Sequence, residues 1–430
     1  MKKTLLEYLI CPFCAKGLQV DTVINVSDTT IIDGILRCPC RRYPIISGIL
    51  YMQWDELGQA ALRLLDKKKT HAALYLMLEG RMMKKVVGLT KRLHFRLSFW
   101  KIISFWNWKY WTAYLRYRFS APNFICSQSL MPVIKEAGGY MLDVCAGVGH
   151  FAFTATKHIS ATKIVCVERR FTSLYFAREF FVHQAAGYIV WDAEQMLPFV
   201  DGFFNSVVCL DSFHYIDTKY LFSKEMMRVL NKDGILLIPH IHNSDVSNVL
   251  PGTPLSPSHY QSLFSDFEIR MIPEEKMLRD LLSECIMDLT HMKDEIVSVK
   301  DCYSLTEGST SDRGVVSVMS VDRAAAITLA VSKSDRYFKK YPTDMLFEPS
   351  PANLIVNPIY KVRKCREGIR LELKFPCRLY KEEFPLIERY FEKKLFISNE
   401  ELKDEEKRMM LRKRFVLVDV PLRFMSRQSV

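Results

Sequence analysis

Three groups of residues have the types and spacings that chemistry needs. The first is Cys11-Pro12-Phe13-Cys14 with Cys38-Pro39-Cys40, two close cysteine pairs separated by a segment rich in β-branched and turn-forming residues. Four thiolates at the tips of two hairpins, Cys11, Cys14, Cys38 and Cys40, are the ligand set of a tetrahedral zinc ion. The second is Leu142-Asp143-Val144-Cys145-Ala146-Gly147-Val148-Gly149, an apolar strand that runs into a glycine loop. Gly147 and Gly149 let the backbone turn tightly and approach a ligand at a helix N-terminus. The third is Asp211-Ser212-Phe213-His214, an acid and an imidazole at one strand end, of the kind that can take a proton from a bound acceptor.

The loop alone leaves two cofactors open. Gly147-x-Gly149-x-x-Ala152, with Glu168 about 20 residues on, also satisfies the dinucleotide fingerprint, so a nicotinamide cofactor is one reading. Three neighbours favour S-adenosylmethionine. Asp143 lies just before the loop, where a carboxylate suits an ammonium better than a pyrophosphate. Glu168 ends the next strand and can accept both ribose hydroxyls. Asp192-Ala193-Glu194 follows the third strand, where an acid can accept from the adenine amino group. The expected cofactor residues are therefore Asp143, Cys145, Gly147, Gly149, Glu168, Asp192, Ala193 and Asp211. Methyl transfer from a sulfonium needs mainly alignment and a base, and His214 with Asp211 is the expected catalytic pair.

The ordered series Leu142-Asp143-Val144, Gly147, Gly149, Glu168, Asp192-Ala193-Glu194, Leu197-Pro198-Phe199, Asp201-Gly202, Asp211-Ser212-Phe213-His214-Tyr215-Ile216, Arg228-Val229-Leu230 and Asp233-Gly234 resembles class I S-adenosylmethionine-dependent methyltransferases of the type 11 kind. The resemblance covers about residues 138–240 and implies a Rossmann-like fold. Two positions depart from it: Cys145 stands where glycine is usual, and Asn205 where an aspartate begins the fourth strand. Residues 4–52 resemble the small zinc-ribbon proteins that activate tRNA, rRNA and release-factor methyltransferases. The carriers are Leu5-Leu6-Glu7-Tyr8-Leu9, the cysteines, and Tyr43-Pro44-Ile45-Ile46-Ser47-Gly48-Ile49. That family usually has two residues inside the second cysteine pair, and here there is one. The resemblance implies a structural metal and a partner module without chemistry of its own.

Elements must hold these groups in place. Short apolar runs at 140–145, 163–168, 188–191, 206–211 and 234–240 alternate with helical patterns near 149–158, 171–186 and 218–230, which predicts an α/β doubly wound sheet. Its ligand sits beyond the carboxyl ends of the strands. Residues 267–272 and 324–333 read as further strands and 276–294 as a helix, with 299–314 rich in turns. A hairpin is expected from 354–362 and 369–375, followed by a helix over 382–395. The expected units are a zinc ribbon (1–55), a helical basic aromatic linker (56–125), the methyltransferase domain (126–335) and a small α+β extension (336–430).

Composition is that of a globular protein, 430 residues with 49% hydrophobic and 25% charged residues, which excludes disorder for most of the chain. The net charge of +12 is unevenly spread. Residues 80–135 carry eleven basic and no acidic side chains, while 136–335 are net acidic. In the basic stretch, Phe99, Ile103, Trp106, Tyr110, Ala113 and Tyr117 recur at helical spacing, opposite Lys101, Ser104, Thr112 and Arg116. Such a helix can cover the substrate pocket, lie in an anionic membrane interface or contact nucleic acid. Glu7 interrupts the apolar start, no segment is apolar enough to span a bilayer, and twelve cysteines without an export signal suit a reducing cytoplasmic setting, peripheral to a membrane in one reading. The leading expectation is a methyltransferase for a small-molecule or lipid-like acceptor. The alternatives are an RNA methyltransferase that uses the ribbon and basic stretch, and a non-catalytic partner of the same fold. No Asn/Asp-Pro-Pro-Tyr/Phe tetrapeptide, typical of enzymes that methylate exocyclic base amines, follows the fourth strand.

Overall fold

The strands at the centre of the molecule are buried on both faces because nearly every residue in them is apolar: Met141–Val144 (β5), Ile164–Glu168 (β6), Gly187–Val190 (β7) and Phe204–Val208 (β8). The computed structural model describes residues 1–81, 84–85, 87–88, 97–105, 109–283, 285–290, 320–348 and 353–425, for 109–111 the backbone only. Trp106 and Trp108, the side chains of Tyr110 and Trp111, and the turn-rich stretch 299–314 lie outside these.

The remaining strands of the main sheet are Gln19–Ser27 (β1), Thr30–Arg37 (β2), Arg42–Ile46 (β3), Ile49–Tyr51 (β4), Leu230–His242 (β9), Glu268–Pro273 (β10) and Ala326–Ser332 (β12), with Ile286–Asp288 (β11) in a two-stranded sheet. The eleven strands run in the order β1-β2-β3-β4-β7-β6-β5-β8-β9-β12-β10. From β4 to β9 every neighbouring pair is parallel, and β12 and β10 close the far edge antiparallel. Chain order reverses between β5 and β8, the switch point beyond whose strand ends ligands of such sheets bind. This is the expected doubly wound, Rossmann-like sheet, and strand 324–333 completes it as anticipated.

The N-terminal ribbon is part of that sheet. Strand β4 pairs in parallel with β7, Ile49 opposite Tyr188 and Tyr51 opposite Val190. Alternation then sends Ile35, Ile46, Ile49 and Tyr51 into the core on one face of the sheet and Leu36, Ile45 and Leu50 into the core on the other. Each such side chain contributes about 1.5–3 kcal/mol by burial, so the ribbon draws much of its stability from the domain it extends.

Three expected elements differ. The helix read over 276–294 is Glu274–Ser283; it gives way at Cys285, whose φ of +51° no helix continues through, to β11, which pairs with Lys340–Pro342. The helix read over 382–395 is two short helices, Arg378–Glu383 and Leu386–Tyr390, because Pro385 removes a helical N–H; Lys394–Ser398 is a strand beside Gly368–Leu373. The strand read over 354–362 is also divided. Asn353–Val356 pairs with Leu417–Val420, and only Tyr360–Cys365 forms the hairpin around Glu367-Gly368.

Among the described residues the basic aromatic stretch is not a single regular α-helix. A turn at Phe99–Ile102 and a 3-10 turn at Ile103–Phe105 precede helix Lys109–Tyr117. Phe99, Ile103, Leu115 and Phe119 are buried, and Phe424 from the chain's tail stacks on Phe99 at 5.7 Å. Asp419, in the tail, pairs with Arg412 at 3.2 Å and with Lys157 of the central domain at 3.1 Å, and the second pair ties the tail to that domain. Among the described residues no helix is long and apolar enough to cross a membrane.

Candidate functional site

The site lies along the carboxyl ends of β5, β8 and β9, where three non-glycine residues adopt left-handed backbone: Cys145 (φ +60°), Asp211 (+55°) and His240 (+55°). Such conformations persist where surrounding structure enforces them, commonly at functional sites. Gly147 (φ +54°) and Gly149 (+83°) continue the turn after β5, and a Cβ on Gly149 would come within 3.0 Å of Ala177. Cys145 occupies the position where the sequence departs from glycine. Cys145→Gly should therefore raise the thermal midpoint by an amount equivalent to about 1 kcal/mol, measured by calorimetry; an unchanged or lower midpoint would show that the cysteine side chain contributes more than its backbone costs.

Three of the acids expected to meet a cofactor stand at or near the ends of neighbouring parallel strands: Asp143 in β5, Glu168 at the end of β6 and Asp192 just after β7. Asp143 is buried, its Oδ2 has no hydrogen-bond partner among the described residues, and burial raises its carboxyl to about 7 against the opposing pull of the Ala152 N–H, with Glu168 adding a little. An orphaned buried carboxylate oxygen fits a cationic ligand group. Glu168 Oε2 accepts from Gly147 N and Oε1 from Arg170 N, both at 3.1 Å, which fixes the loop and leaves further lone pairs for a diol. Asp192 Oδ1 accepts from Glu194 N at 3.1 Å, and Ala193 is buried beside it. Glu194 is used elsewhere: its Oε2 accepts from Asp217 N, Thr218 N and the Thr218 hydroxyl at 3.0–3.1 Å. Asn205 has a structural part, since its Oδ1 accepts from Tyr140 N at 3.1 Å.

On the opposite side, Asp211 is enclosed by the segment that precedes the domain. Its Oδ2 accepts from Tyr114 Oη (2.9 Å), Arg118 Nη1 (2.7 Å) and Asn123 Nδ2 (3.0 Å). Burial opposes its charge, but Arg118 and then His240 and His214 outweigh that and bring the carboxyl down to about 2. His214 is fully buried, 4.0 Å from Asp211 Oδ1, and stacks on His242 at 3.8 Å; neither ring nitrogen has a hydrogen-bond partner among the described residues. Burial, with His242 adding to it, pushes His214 down to about 2, so its imidazole is neutral. His150 binds Leu115 O at 3.2 Å and anchors the covering segment.

Residue-by-residue reading of the sequence missed Tyr114, Arg118 and Asn123: it allowed the stretch to cover the substrate pocket, but nothing in the local pattern says which of its polar side chains turn toward the site. It also missed His240, His242 and Glu274. The signal for the first two was present: His240-Ile241-His242 breaks an otherwise apolar strand run.

At the ribbon, the four cysteine Sγ atoms lie within 4.8 Å of one another. Cys11 and Cys40 are 3.6 Å apart and Cys38 and Cys40 3.4 Å, against about 3.8 Å for the edges of a tetrahedron with 2.3 Å metal–sulfur bonds. The one-residue spacer therefore does not prevent convergence. Burial works against ionisation of Cys11, but hydrogen bonds from Tyr43 and the Phe13 and Cys14 N–H groups bring its thiol down to about 7. Phe13, between the first two cysteines, packs edge-on against Trp191 at 5.8 Å, next to Asp192.

Residues 142–238 match the family model described as a methyltransferase domain. That match supports S-adenosylmethionine-dependent methyl transfer, and the sheet order is consistent with class I. No curated protein matches the chain. Solved structures similar to it include an S-adenosylmethionine-dependent methyltransferase of Thermotoga maritima (17% identity, 55% of this chain and 99% of that one, TM-score 0.32). A Bacillus halodurans protein assigned as a methyltransferase is 20% identical over 46% of this chain and 93% of its own, with a TM-score of 0.29. Haemonchus contortus phosphoethanolamine N-methyltransferase 2 is 20% identical over 34% of this chain and 38% of its own, also at 0.29. With TM-scores this low, these likenesses carry no weight in assigning an acceptor.

The buried Asp143 carboxyl also makes a prediction about cofactor affinity. An ammonium group needs Asp143 ionised, and the free protein protonates it below about pH 7. The Kd for S-adenosylmethionine, measured by calorimetry, should rise up to about tenfold per pH unit below 7 and flatten above it. Asp143→Asn should weaken binding by about 10- to 100-fold at pH 8 and abolish the slope. A wild-type affinity independent of pH would remove Asp143 from this role.

Proposed function

We propose that the protein transfers a methyl group from S-adenosylmethionine to a small-molecule or lipid-like acceptor. Asp143, Glu168, Asp192 and Ala193, with the Cys145–Gly149 turn, hold the cofactor, which supplies an already activated methyl group. Asp211 and His214 face the acceptor. The observation that carries this reading is the enclosure of Asp211 by Tyr114, Arg118 and Asn123. Two of the basic segment's polar side chains, Tyr114 and Arg118, point inward to wall the acceptor side, as a small acceptor needs, and a polymer would call for an open basic trough. Cys11, Cys14, Cys38 and Cys40 hold a structural zinc.

The test is transfer of tritium from methyl-labelled S-adenosylmethionine to a cell extract separated into small molecules, lipids and RNA, with metal content measured on the same preparation. Label in the first two fractions and about one zinc per chain support the proposal. Label in the RNA fraction alone would transfer it to the RNA reading. Absence of label together with absence of S-adenosylmethionine binding in a calorimetric titration would leave a non-catalytic partner.

A further inference from the structure

A chain of hydrogen bonds behind Asp211 fixes the charge of a second histidine. His242 Nδ1 faces Pro251 O at 3.3 Å, and a carbonyl can only accept, so that nitrogen carries the hydrogen. Its Nε2 is then the lone pair, and it lies 3.3 Å from His240 Nε2, which must donate to it. The other nitrogen of His240, Nδ1, is in contact with a carboxylate oxygen of Glu274, at the start of helix Glu274–Ser283, and donates there as well. A ring with both nitrogens donating is an imidazolium. His240 and Glu274 are both buried, and the cation sits with its Nε2 3.6 Å from Asp211 Oδ1. Asp211 thus has Arg118, Tyr114 and Asn123 on one oxygen and a fixed cation beside the other. Among the described residues no hydrogen bond reaches that second oxygen.

We propose that His240 and Glu274 are positioning residues of the acceptor site: the His240 imidazolium, held between Glu274 and His242, keeps the second Asp211 oxygen ionised and aimed, so that the methyl acceptor is recognised through an O–H or N–H group donated to Asp211 Oδ1. The inference rests on the reading that Asp211 faces the acceptor. Both Asp211 oxygens face positive or donor groups, so the acceptor atom that meets Oδ1 is a neutral O–H or N–H donor rather than an anion. Groups facing His240 are Glu274 and Asp211, His242 on the same strand, His214 across the stack, and Arg118; together they place its loss of a proton near pH 8, with burial opposing and the two carboxylates raising it.

The test uses the full chain. Nitrogen-15 spectra of histidine-labelled protein at pH 7 should show His240, assigned by comparison with His240→Gln, protonated at both nitrogens. Tritium transfer to the labelled fraction of the extract should fall at least tenfold in His240→Gln and Glu274→Gln, in kcat rather than in the Kd for S-adenosylmethionine. His240→Arg, which keeps a cation with several donors, should recover part of the rate and lose the fall in activity above pH 8. A singly protonated His240 at pH 7, a wild-type rate in His240→Gln, or an alkaline limb retained in His240→Arg overturns the inference alone. Absence of transfer by the wild-type protein overturns both it and the acceptor reading on which it rests.

Discussion

Removing metal from Cys11, Cys14, Cys38 and Cys40 with a chelator, or replacing Cys38 by serine, is expected to lower the thermal midpoint by more than 10 °C and to open residues 1–55 to proteolysis. Packing covers the four thiols only in part: Cys11 is buried, Cys14 and Cys38 are half-buried and Cys40 is exposed. Structural zinc contributes on the order of 10–16 kcal/mol in small zinc-binding peptides; the zinc proposed for these cysteines would contribute less, because β4 is also held by its sheet pairing with β7. Loss of the metal should therefore loosen the knuckles first and the β4–β7 pair next. Amide exchange at Tyr188–Val190 should quicken on chelation while exchange at β5 stays slow. A ribbon whose midpoint and protease resistance are untouched by chelation would mean that packing against the domain suffices and the cysteines hold nothing.

The central sheet was legible because its signals are local. Continuous apolar runs, a glycine loop and acids at strand ends mark β5 to β9 whatever the rest of the chain does, and those strands lie within a few residues of their expected bounds. What was not legible is set by distant contacts. Nothing in Ile49-Leu50-Tyr51 announces that its edge pairs with Tyr188–Val190, because strand partners are chosen by burial on both faces of an assembled sheet. The helix expected over 276–294 ends early because β11 finds a partner at Lys340–Pro342, some fifty residues on. The eleven basic and no acidic side chains of 80–135 left a pocket cover, a membrane face and a nucleic-acid face all open, and the contact that bears on the choice, Arg118 buried against an acid almost a hundred residues away, is not local. Charge counted along a sequence does not say which way each side chain turns.

That pair carries the second large effect. Asp211→Ala would leave the Arg118 guanidinium, only 4% exposed, without its carboxylate, and would remove the acceptor of the Tyr114 hydroxyl and Asn123 amide hydrogen bonds. Removing one partner of a buried ion pair costs about 3–5 kcal/mol, chiefly because the remaining charge stays desolvated. Arg118→Met should cost less, since His240 still faces the carboxylate at 3.6 Å. In a double-mutant cycle measured by urea unfolding, Asp211→Ala with Arg118→Met should be less destabilised than the two single changes predict, by about 1–3 kcal/mol. The same pair fixes an acid limb of stability. The Asp211 carboxyl is lowered to about 2 in the folded chain, so its contribution is complete above its ordinary value near 4 and is lost as pH falls through about 2. Unfolding between pH 4 and 2 should accordingly be shallower in the Asp211→Ala variant than in the wild type. Additive single changes with an unaltered acid limb would mean that Asp211 and Arg118 are neighbours without coupling, and the segment over Asp211 would have to be held by packing of Leu115 and Phe119 instead.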